Sequence, residues 1–416
     1  MKRKKVTRYV IIGNSAAAVG CVEGIRLADS KGSITLIASE PHHTYSRPLI
    51  SYLLYGKTDE QRMKYRPDDF YMKNGVTALL GKTAVGIDPK SKKVLLDDGQ
   101  TVEYDKLLVA TGSSPFVPSI EGLDQVEQKT SFMTLDDARW LEHMVDADTR
   151  VLILGAGLIG LKCAEGLSAT TAQITVVDLA DRVLPSILDQ AGGAMMKEHL
   201  ERNQIPCILS DSVVKFEQNR AVLKSGRAIP FDVLVTAVGV RPNIQLVQQA
   251  GGEVRRGIVT DRVCRTSLPD VYAAGDCAES LDVTTGQEKV LALLPNAYMQ
   301  GECAGIHMAG GEKPYDKAIP MNAIGFFGLH LLTAGSYDGD ELVEQGEGFY
   351  KKLIVKDGML NGFILIGNVK RAGIYTALIR NRTPLSEVDF ALLKDHPQLM
   401  AYSKAKRKEL LGGVRA

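Results

Sequence analysis

The sequence predicts an α/β fold of two modules, each running strand, small-residue turn, helix and strand, followed by a small α+β C-terminal domain. Three observations carry this. VIIGNSAAAVG at 10–20 leads to ITLIASE at 34–40, and VLILGAGLIG at 151–160 leads to ITVVD at 174–178. Each pair reads as an apolar strand, a tight turn, a helix and a second strand that ends in an acid. From about Gly325 the texture changes to strand-like runs such as FYKKLIVKDG (349–358) and MLNGFILIG (359–367), then helical segments and a basic tail, the pattern of an α+β unit. A chain of 416 residues, 45% of them hydrophobic, is too long for one ordinary core, so two or three domains are expected.

YDKLLVATG (104–112) closes the first module and FDVLVTAVG (231–239) the second, each running from apolar strand to glycine. TSLPDVYAAGDCA (266–278) begins a further strand and turn. A small-residue helix pattern from about Asn296 to Met308 then returns the chain to the first module. No low-complexity linker interrupts this order.

Composition narrows the function classes. A formal net charge of +1 lacks the cationic field that nucleic-acid binding requires. No run reaches the roughly 18–20 apolar residues that span a bilayer, so no membrane association is expected. The basic start Met1-Lys2-Arg3-Lys4-Lys5 runs straight into the first strand; it is read as solvated charge at a chain end, not as a signal peptide. The six cysteines, Cys21, Cys163, Cys207, Cys264, Cys277 and Cys303, lie far apart without a CxxC or a Cys–His pair at metal spacing. No metal site is expected, and scattered thiols suit a reducing, cytoplasmic setting.

The turn at 155–160 is Gly155-x-Gly157-x-x-Gly160. The first glycine allows the tight turn, the second lets backbone approach a pyrophosphate, and the third lets helix pack on strand, with Ile159 beside it. Asp178, eighteen positions beyond Gly160, is placed to accept hydrogen bonds from an adenosine ribose. A carboxylate there repels a 2′-phosphate, so NADH is favoured over NADPH, with Arg182 moderating the preference. The first turn, Gly13-Asn14-Ser15-Ala16-Ala17-Ala18, replaces the second glycine by Ser15, whose hydroxyl can meet a phosphate, and the third by alanine. Glu40 ends its second strand. Either motif alone is weak; two, each with its acid, point to two Rossmann-like dinucleotide-binding domains.

The combination of VYAAGD ending at Asp276 with ATG at 110–112 resembles the FAD-binding pattern of the pyridine nucleotide-disulfide oxidoreductase superfamily, over roughly residues 8–310. The resemblance implies an FAD domain interrupted by an NAD domain: 1–114 and 240–324 for FAD, 115–239 for NAD(H), and 325–416 as a C-terminal interface domain. It implies FAD contacts at Gly13, Ser15, Ala16, Ala17, Glu40, Arg47, Ala84, Thr111, Gly112, Asp276 and Ala297, with Asp276 on the ribityl chain. It implies NAD contacts at Gly155, Gly157, Ile159, Gly160, Asp178 and Gly239. The helix starting near Pro295 to Ala297 would meet negative charge at flavin N1 and O2 with its N-terminus.

Departures from the family are as informative. Disulfide-reducing members carry a redox cysteine pair after the first acidic strand, and oxidases and peroxidases a single cysteine; here the stretch Glu40 to Pro48 (EPHHTYSRP) has none. Thiol-based chemistry is therefore not expected. His396-Pro397 has no thiol to serve and is read as a solvated or capping histidine, and His42 and His43 are read as structural. The run from Tyr45 to Tyr52 (YSRPLISY) is similar to YxRPxLS of NADH:rubredoxin reductases, nitrite reductase flavin modules and apoptosis-inducing-factor-like proteins. Many of these carry Lys in place of Tyr52 and Glu in place of Lys162, so that pair is missing. Two readings of Lys162 stand: a catalytic cation that stabilises anionic reduced flavin, or a side chain reaching solvent.

The expected activity is FAD-dependent NADH:acceptor oxidoreduction, with a small iron–sulfur protein or an iron–sulfur subunit as partner. The basic tail Lys404, Lys406, Arg407 and Lys408 is one candidate docking element and a solvated helix end the other reading. A homo-oligomer is compatible with the sequence. Two alternatives are a flavin-binding redox sensor and a stand-alone NADH oxidase or diaphorase.

Overall fold

The computed structural model describes residues 6–411; the basic start Met1 to Lys5 lies outside the described residues. The chain forms two compact units. One runs to Ser280 and takes in Lys289–Tyr315; the other comprises Leu281–Glu288 and the chain from Asp316.

The first unit holds two five-stranded parallel sheets. The first has the order Val271–Ala273, Lys106–Val109, Arg8–Ile12, Ser33–Ala38, Val76–Leu80. The second has the order Cys207–Ile208, Ile174–Val177, Val151–Leu154, Val233–Thr236, Lys129–Thr130. In each, the strand that leads into the glycine turn lies at the centre, between the next strand on one side and a later one on the other. VLIL at 151–154 and VLVT at 233–236 are buried throughout, as strands covered on both faces must be. Helices Ala16–Ala28 and Leu158–Leu167 follow the two central strands. The strand order reverses beside each central strand, and in open α/β sheets such a switch point, at the carboxyl ends of the strands, is where ligands bind.

Val271–Ala273 joins the first sheet by pairing with Lys106–Val109, although the whole second sheet lies between them in sequence. The first module is thus interrupted by the second, as expected. Ser113–Pro115 and Val240–Pro242 form the antiparallel passage out and back.

The closure is unusually tight. Helix Leu294–Met308 packs on helix Ala16–Ala28 through glycines on both: a methyl added at Gly301 would sit 1.9 Å from the Ala17 carbonyl oxygen, and one at Gly20 would sit 2.3 Å from that of Tyr298. Backbone touches backbone, so the small-residue pattern at 296–308 is a packing requirement.

The second unit is a five-stranded antiparallel sheet, with Met359–Ile366 central and Asp340–Gly346 at one edge. The two strands expected at 349–358 and 359–367 pair across Asp357-Gly358, both at positive φ (51° and 70°), the geometry of a tight hairpin turn. Helix Ala372–Arg380 supplies Tyr375, Leu378 and Ile379 to a core with Leu353, Phe363 and Leu365. The expected 325–416 domain lies within this unit. No helix among the described residues is long and apolar enough to cross a membrane.

Candidate functional site: a cavity at the strand ends of the first sheet

A cavity of about 660 Å³ opens where the first sheet's strands end, lined by Ile12, Ala38, Ala110 and Ala274, each at or just past a strand's last residue. All eleven residues the sequence marked for FAD line it: Gly13, Ser15, Ala16, Ala17, Glu40, Arg47, Ala84, Thr111, Gly112, Asp276 and Ala297. They come from stretches scattered over almost three hundred positions, and the volume suits a large ligand.

Local chemistry explains several of these positions. Gly13 has φ +127°, and a Cβ there would meet the Ala110 carbonyl oxygen at 2.2 Å. Ser15 is the N-cap of helix Ala16–Ala28 yet makes no side-chain cap bond, and the first turn carries no acid. Its hydroxyl and the helix N–H groups therefore suit an anion. Burial pushes the Asp276 carboxyl pKa up, opposed by a hydrogen bond from Ser113 Oγ (3.3 Å) and by the Arg47 charge. The N–H of the preceding Gly275 donates to Gln300 Oε1 at 2.7 Å, fixing this turn on helix Leu294–Met308.

Glu40 and Arg47 form an ion pair. Tyr45 Oη donates to the other Glu40 oxygen at 2.6 Å. His42 and His43 both line the cavity. His42 Nε2 lies 2.8 Å from Asp136 Oδ1, whereas His43 Nε2 and Thr44 Oγ1 are buried without a hydrogen-bond partner. Unpaired buried polar atoms are costly. The acidic, basic and helix-terminal groups around this cavity fit a dinucleotide.

The second turn has the same backbone logic. Gly155 has φ +109°, and a Cβ would lie 2.3 Å from the Ala237 carbonyl oxygen; at Gly160 it would lie 2.0 Å from that of Gly155. Gly157, the helix N-cap, and Gly239, with φ +116°, have open space where a Cβ would point, room for an approaching phosphate. Ile159 is half-buried beside them. Asp178 directly follows strand Ile174–Val177 and accepts from the N–H groups of Ala156 (2.6 Å) and Ala180 (2.7 Å). Arg182 is held by the Leu188 carbonyl oxygen and Asp181, so its guanidinium is already engaged.

Lys162 is turned largely away from solvent. Its side chain is 13% exposed, paired with Glu165 one turn on and set 5.0 Å from the centre of the Tyr52 ring. It is not among the residues lining the cavity. Nor is any of the six cysteines, all of which are buried and unbridged. His396 is exposed and closes helix Phe390–Asp395, its N–H donating to the Leu392 carbonyl oxygen.

Sequence reading missed several residues that shape the site. Asn243 holds the ATG turn from both directions, its Nδ2 donating to the Thr111 carbonyl oxygen and its own carbonyl accepting from Thr111 Oγ1. Met133 and Thr134 reach the cavity from the second module. A signal existed for the latter: Thr134 and Asp137 form a reciprocal capping box, legible as T-x-x-D.

Two modules of this kind, each with a glycine turn and a helix N-terminus at the end of its central strand, mark the class of dinucleotide-dependent oxidoreductases. The chain belongs to the pyridine nucleotide-disulphide oxidoreductase family, whose model matches residues 7–301; residues 320–383 match the rubredoxin NAD+ reductase C-terminal domain. The family uses FAD and NADH. The chain is 32% identical over 393 residues to the epsilon subunit of the NADH-dependent phenylglyoxylate dehydrogenase of Aromatoleum evansii, covering 91% of this chain and 93% of that one. It is 31% identical over 391 residues to the assimilatory nitrate reductase electron transfer subunit of Bacillus subtilis, covering 91% of this chain but only 50% of that longer protein. Among solved structures, a ferredoxin reductase of Rhodopseudomonas palustris superposes with a TM-score of 0.84 at 25% identity, covering 91% of this chain and 95% of that one.

Proposed function

We propose that this protein passes electrons between NADH and a small iron–sulfur protein, or the iron–sulfur subunit of a complex, through FAD held in the cavity. The observation that carries the reading is the convergence of the eleven marked residues on one cavity at the switch point of the first sheet. Bound FAD supplies a group that takes up a hydride and releases electrons singly.

The chain's own residues bind, orient and set charge. The N-terminus of helix Ala16–Ala28 and Ser15 receive the pyrophosphate, Glu40 the adenosine ribose and Asp276 the ribityl chain. Helix Leu294–Met308 begins at the cavity with Leu294 and Ala297 and turns the positive end of its dipole toward negative charge on the ring. In the second module Gly155, Gly157, Ile159, Gly160 and Gly239 cradle NADH while Asp178 takes its ribose. Lys162 is retained as a candidate cation for the reduced flavin, set back from the cavity lining and with its charge moderated by Glu165.

No cysteine lines the cavity, which supports an external acceptor over a thiol within the chain. Relatives named as a ferredoxin–NAD(+) reductase component and an NADH-rubredoxin oxidoreductase support the iron–sulfur class. We place the docking surface on the C-terminal unit and the protein in the cytoplasm, where six unbridged cysteines persist; a homo-oligomer is compatible with this reading. The test is flavin content: the purified protein shows flavin absorbance, or regains it with added FAD, and NADH bleaches it without air. Protein that is colourless and takes up no FAD contradicts the reading.

A further inference from the structure

Two residues of the cavity wall each bind Glu40 on one side and the second module on the other. Tyr45 Oη donates to Glu40 Oε2 (2.6 Å) and accepts from the N–H of Leu135 (3.0 Å). Arg47 pairs with Glu40 Oε1 and donates through its other terminal nitrogen to the Met133 carbonyl oxygen (3.0 Å). Met133 to Leu135 connect strand Lys129–Thr130 of the second sheet to helix Leu135–Met144. That segment is itself rigid, because one Asp137 oxygen accepts from the N–H groups of Met133 and Thr134 and from Ser131 Oγ. Any movement of the Glu40 carboxylate is therefore passed to the second module within two hydrogen bonds.

The other polar contacts in this region are weaker candidates. His42–Asp136 and Arg139–Glu60 also join the modules, but Asp136 is 58% exposed and Glu60 48%, and exposed ion pairs hold geometry poorly. Tyr45 is 8% exposed and is pinned on both flanks, by the Tyr65 N–H on the Thr44 carbonyl oxygen and the Ser46 N–H on that of Met63. A buried hydroxyl with one donor and one acceptor partner has a fixed direction.

We infer that Tyr45 is a positioning residue that couples occupancy of the cavity at Glu40 to the placement of the pyridine-nucleotide module; this rests on the reading that the cavity holds FAD. When the ribose hydroxyls engage Glu40, the carboxylate, Tyr45 Oη and the Leu135 N–H settle as one chain. The module carrying Asp178 is then set at the distance hydride transfer requires, a step sensitive to displacements of about 1 Å.

The test uses the FAD-loaded and FAD-free full chain. In the wild type, FAD slows hydrogen–deuterium exchange across residues 131–139; in Tyr45→Phe, which leaves the Arg47 bridge to Met133 in place, the slowing is smaller and is lost first at Leu135. By stopped flow, Tyr45→Phe lowers the rate of flavin reduction at saturating NADH about tenfold, while the NADH dissociation constant stays within about twofold. The far end of the bond can be removed separately. Leu135 is the first residue of its helix and Thr134 before it is extended (φ −115°, ψ 164°), so proline is tolerated there and deletes only the N–H beyond what Leu135→Ala deletes. Leu135→Pro is expected to be slower in reduction than Leu135→Ala, and Tyr45→Phe combined with Leu135→Pro no slower than the slower single variant. Wild-type exchange at 131–139 that ignores FAD, or Tyr45→Phe reduced at the wild-type rate, overturns the coupling alone. A wild type that takes up no FAD overturns the coupling together with the reading beneath it.

Discussion

Glu40 and Asp178 hold corresponding places, one just past the second strand of each module, yet their carboxylates have different neighbours. Glu40 is engaged by the side chains of Arg47 and Tyr45, Asp178 by two backbone N–H groups. A carboxylate fixed by backbone cannot swing away from a 2′-phosphate, and Arg182, tied to Leu188 and Asp181, is not placed to compensate. The expected preference for NADH is therefore assigned to Asp178, with less moderation by Arg182 than the sequence suggested. Asp178→Asn is expected to lower the NADH/NADPH ratio of kcat/KM by about tenfold, roughly 1.4 kcal/mol, which steady-state kinetics with both nucleotides will read. Its amide would also turn a donor toward one of the two N–H groups, costing ~1–2 kcal/mol of stability. Residues whose role follows from spacing around a glycine turn, such as Gly13, Gly155 and Asp178, were legible in sequence. Tyr45, Asn243 and Met133 were not, because their partners lie 90 and 132 positions away for the first two, and 86 from Arg47 for the third.

At the scale of elements, the two strand–turn–helix units were readable because their periodicity is local, whereas the contact that closes the first module is not. Helices Ala16–Ala28 and Leu294–Met308 meet at Gly20, Gly24, Gly301 and Gly305, where an added methyl would collide with a carbonyl oxygen of the opposite helix at 2.4 Å or less. Since Ala17 and Ala297 on these helices line the cavity, forcing them apart should cost both stability and cofactor. Gly301→Ala is expected to destabilise by ~2–4 kcal/mol and to raise the FAD dissociation constant, measured by thermal unfolding and flavin-fluorescence titration. The second sheet has a different lock. Arg150 binds Asp232 through its backbone N–H, Nε and a terminal nitrogen at 2.9, 2.9 and 2.7 Å, tying its central strand to the neighbour that starts at Val233. The hydrogen bond from Arg150 lowers the Asp232 pKa to about 2 from 3.8. A depressed carboxylate stabilises above the unfolded value, and that contribution fades as pH falls from about 3.8 through about 2. The Asp232 side chain is 38% exposed, so screening reduces the linkage value to about 1 kcal/mol. Asp232→Asn should show that deficit in denaturant unfolding at neutral pH and lose it near pH 2; an equal deficit at both would contradict the ion-pair account.

At the scale of the whole molecule, the interruption of one module by the other was readable because each strand-to-glycine run names its module, and the structure adds the antiparallel passage between Ser113–Pro115 and Val240–Pro242. The C-terminal unit was less legible. Its hairpin at Asp357-Gly358 announces itself, but edge strand Asp340–Gly346 is exposed along its whole length and has no apolar alternation to mark it. The basic residues near the C-terminus are divided, with Lys404 and Lys408 exposed and Lys406 paired with Glu409, which leaves a modest charge for steering a partner. Electrons are proposed to pass from NADH through the flavin to an iron–sulfur protein, and anaerobic stopped flow follows both halves of that path. The flavin is mixed with NADH or NADPH, and the reduced protein is then mixed with oxidised rubredoxin, ferredoxin or oxygen. The proposed path requires faster reduction by NADH than by NADPH, and rapid reoxidation by an iron–sulfur protein with slow reoxidation by oxygen. Negligible reduction by NADH, or reoxidation by oxygen as fast as by any iron–sulfur protein, would contradict it.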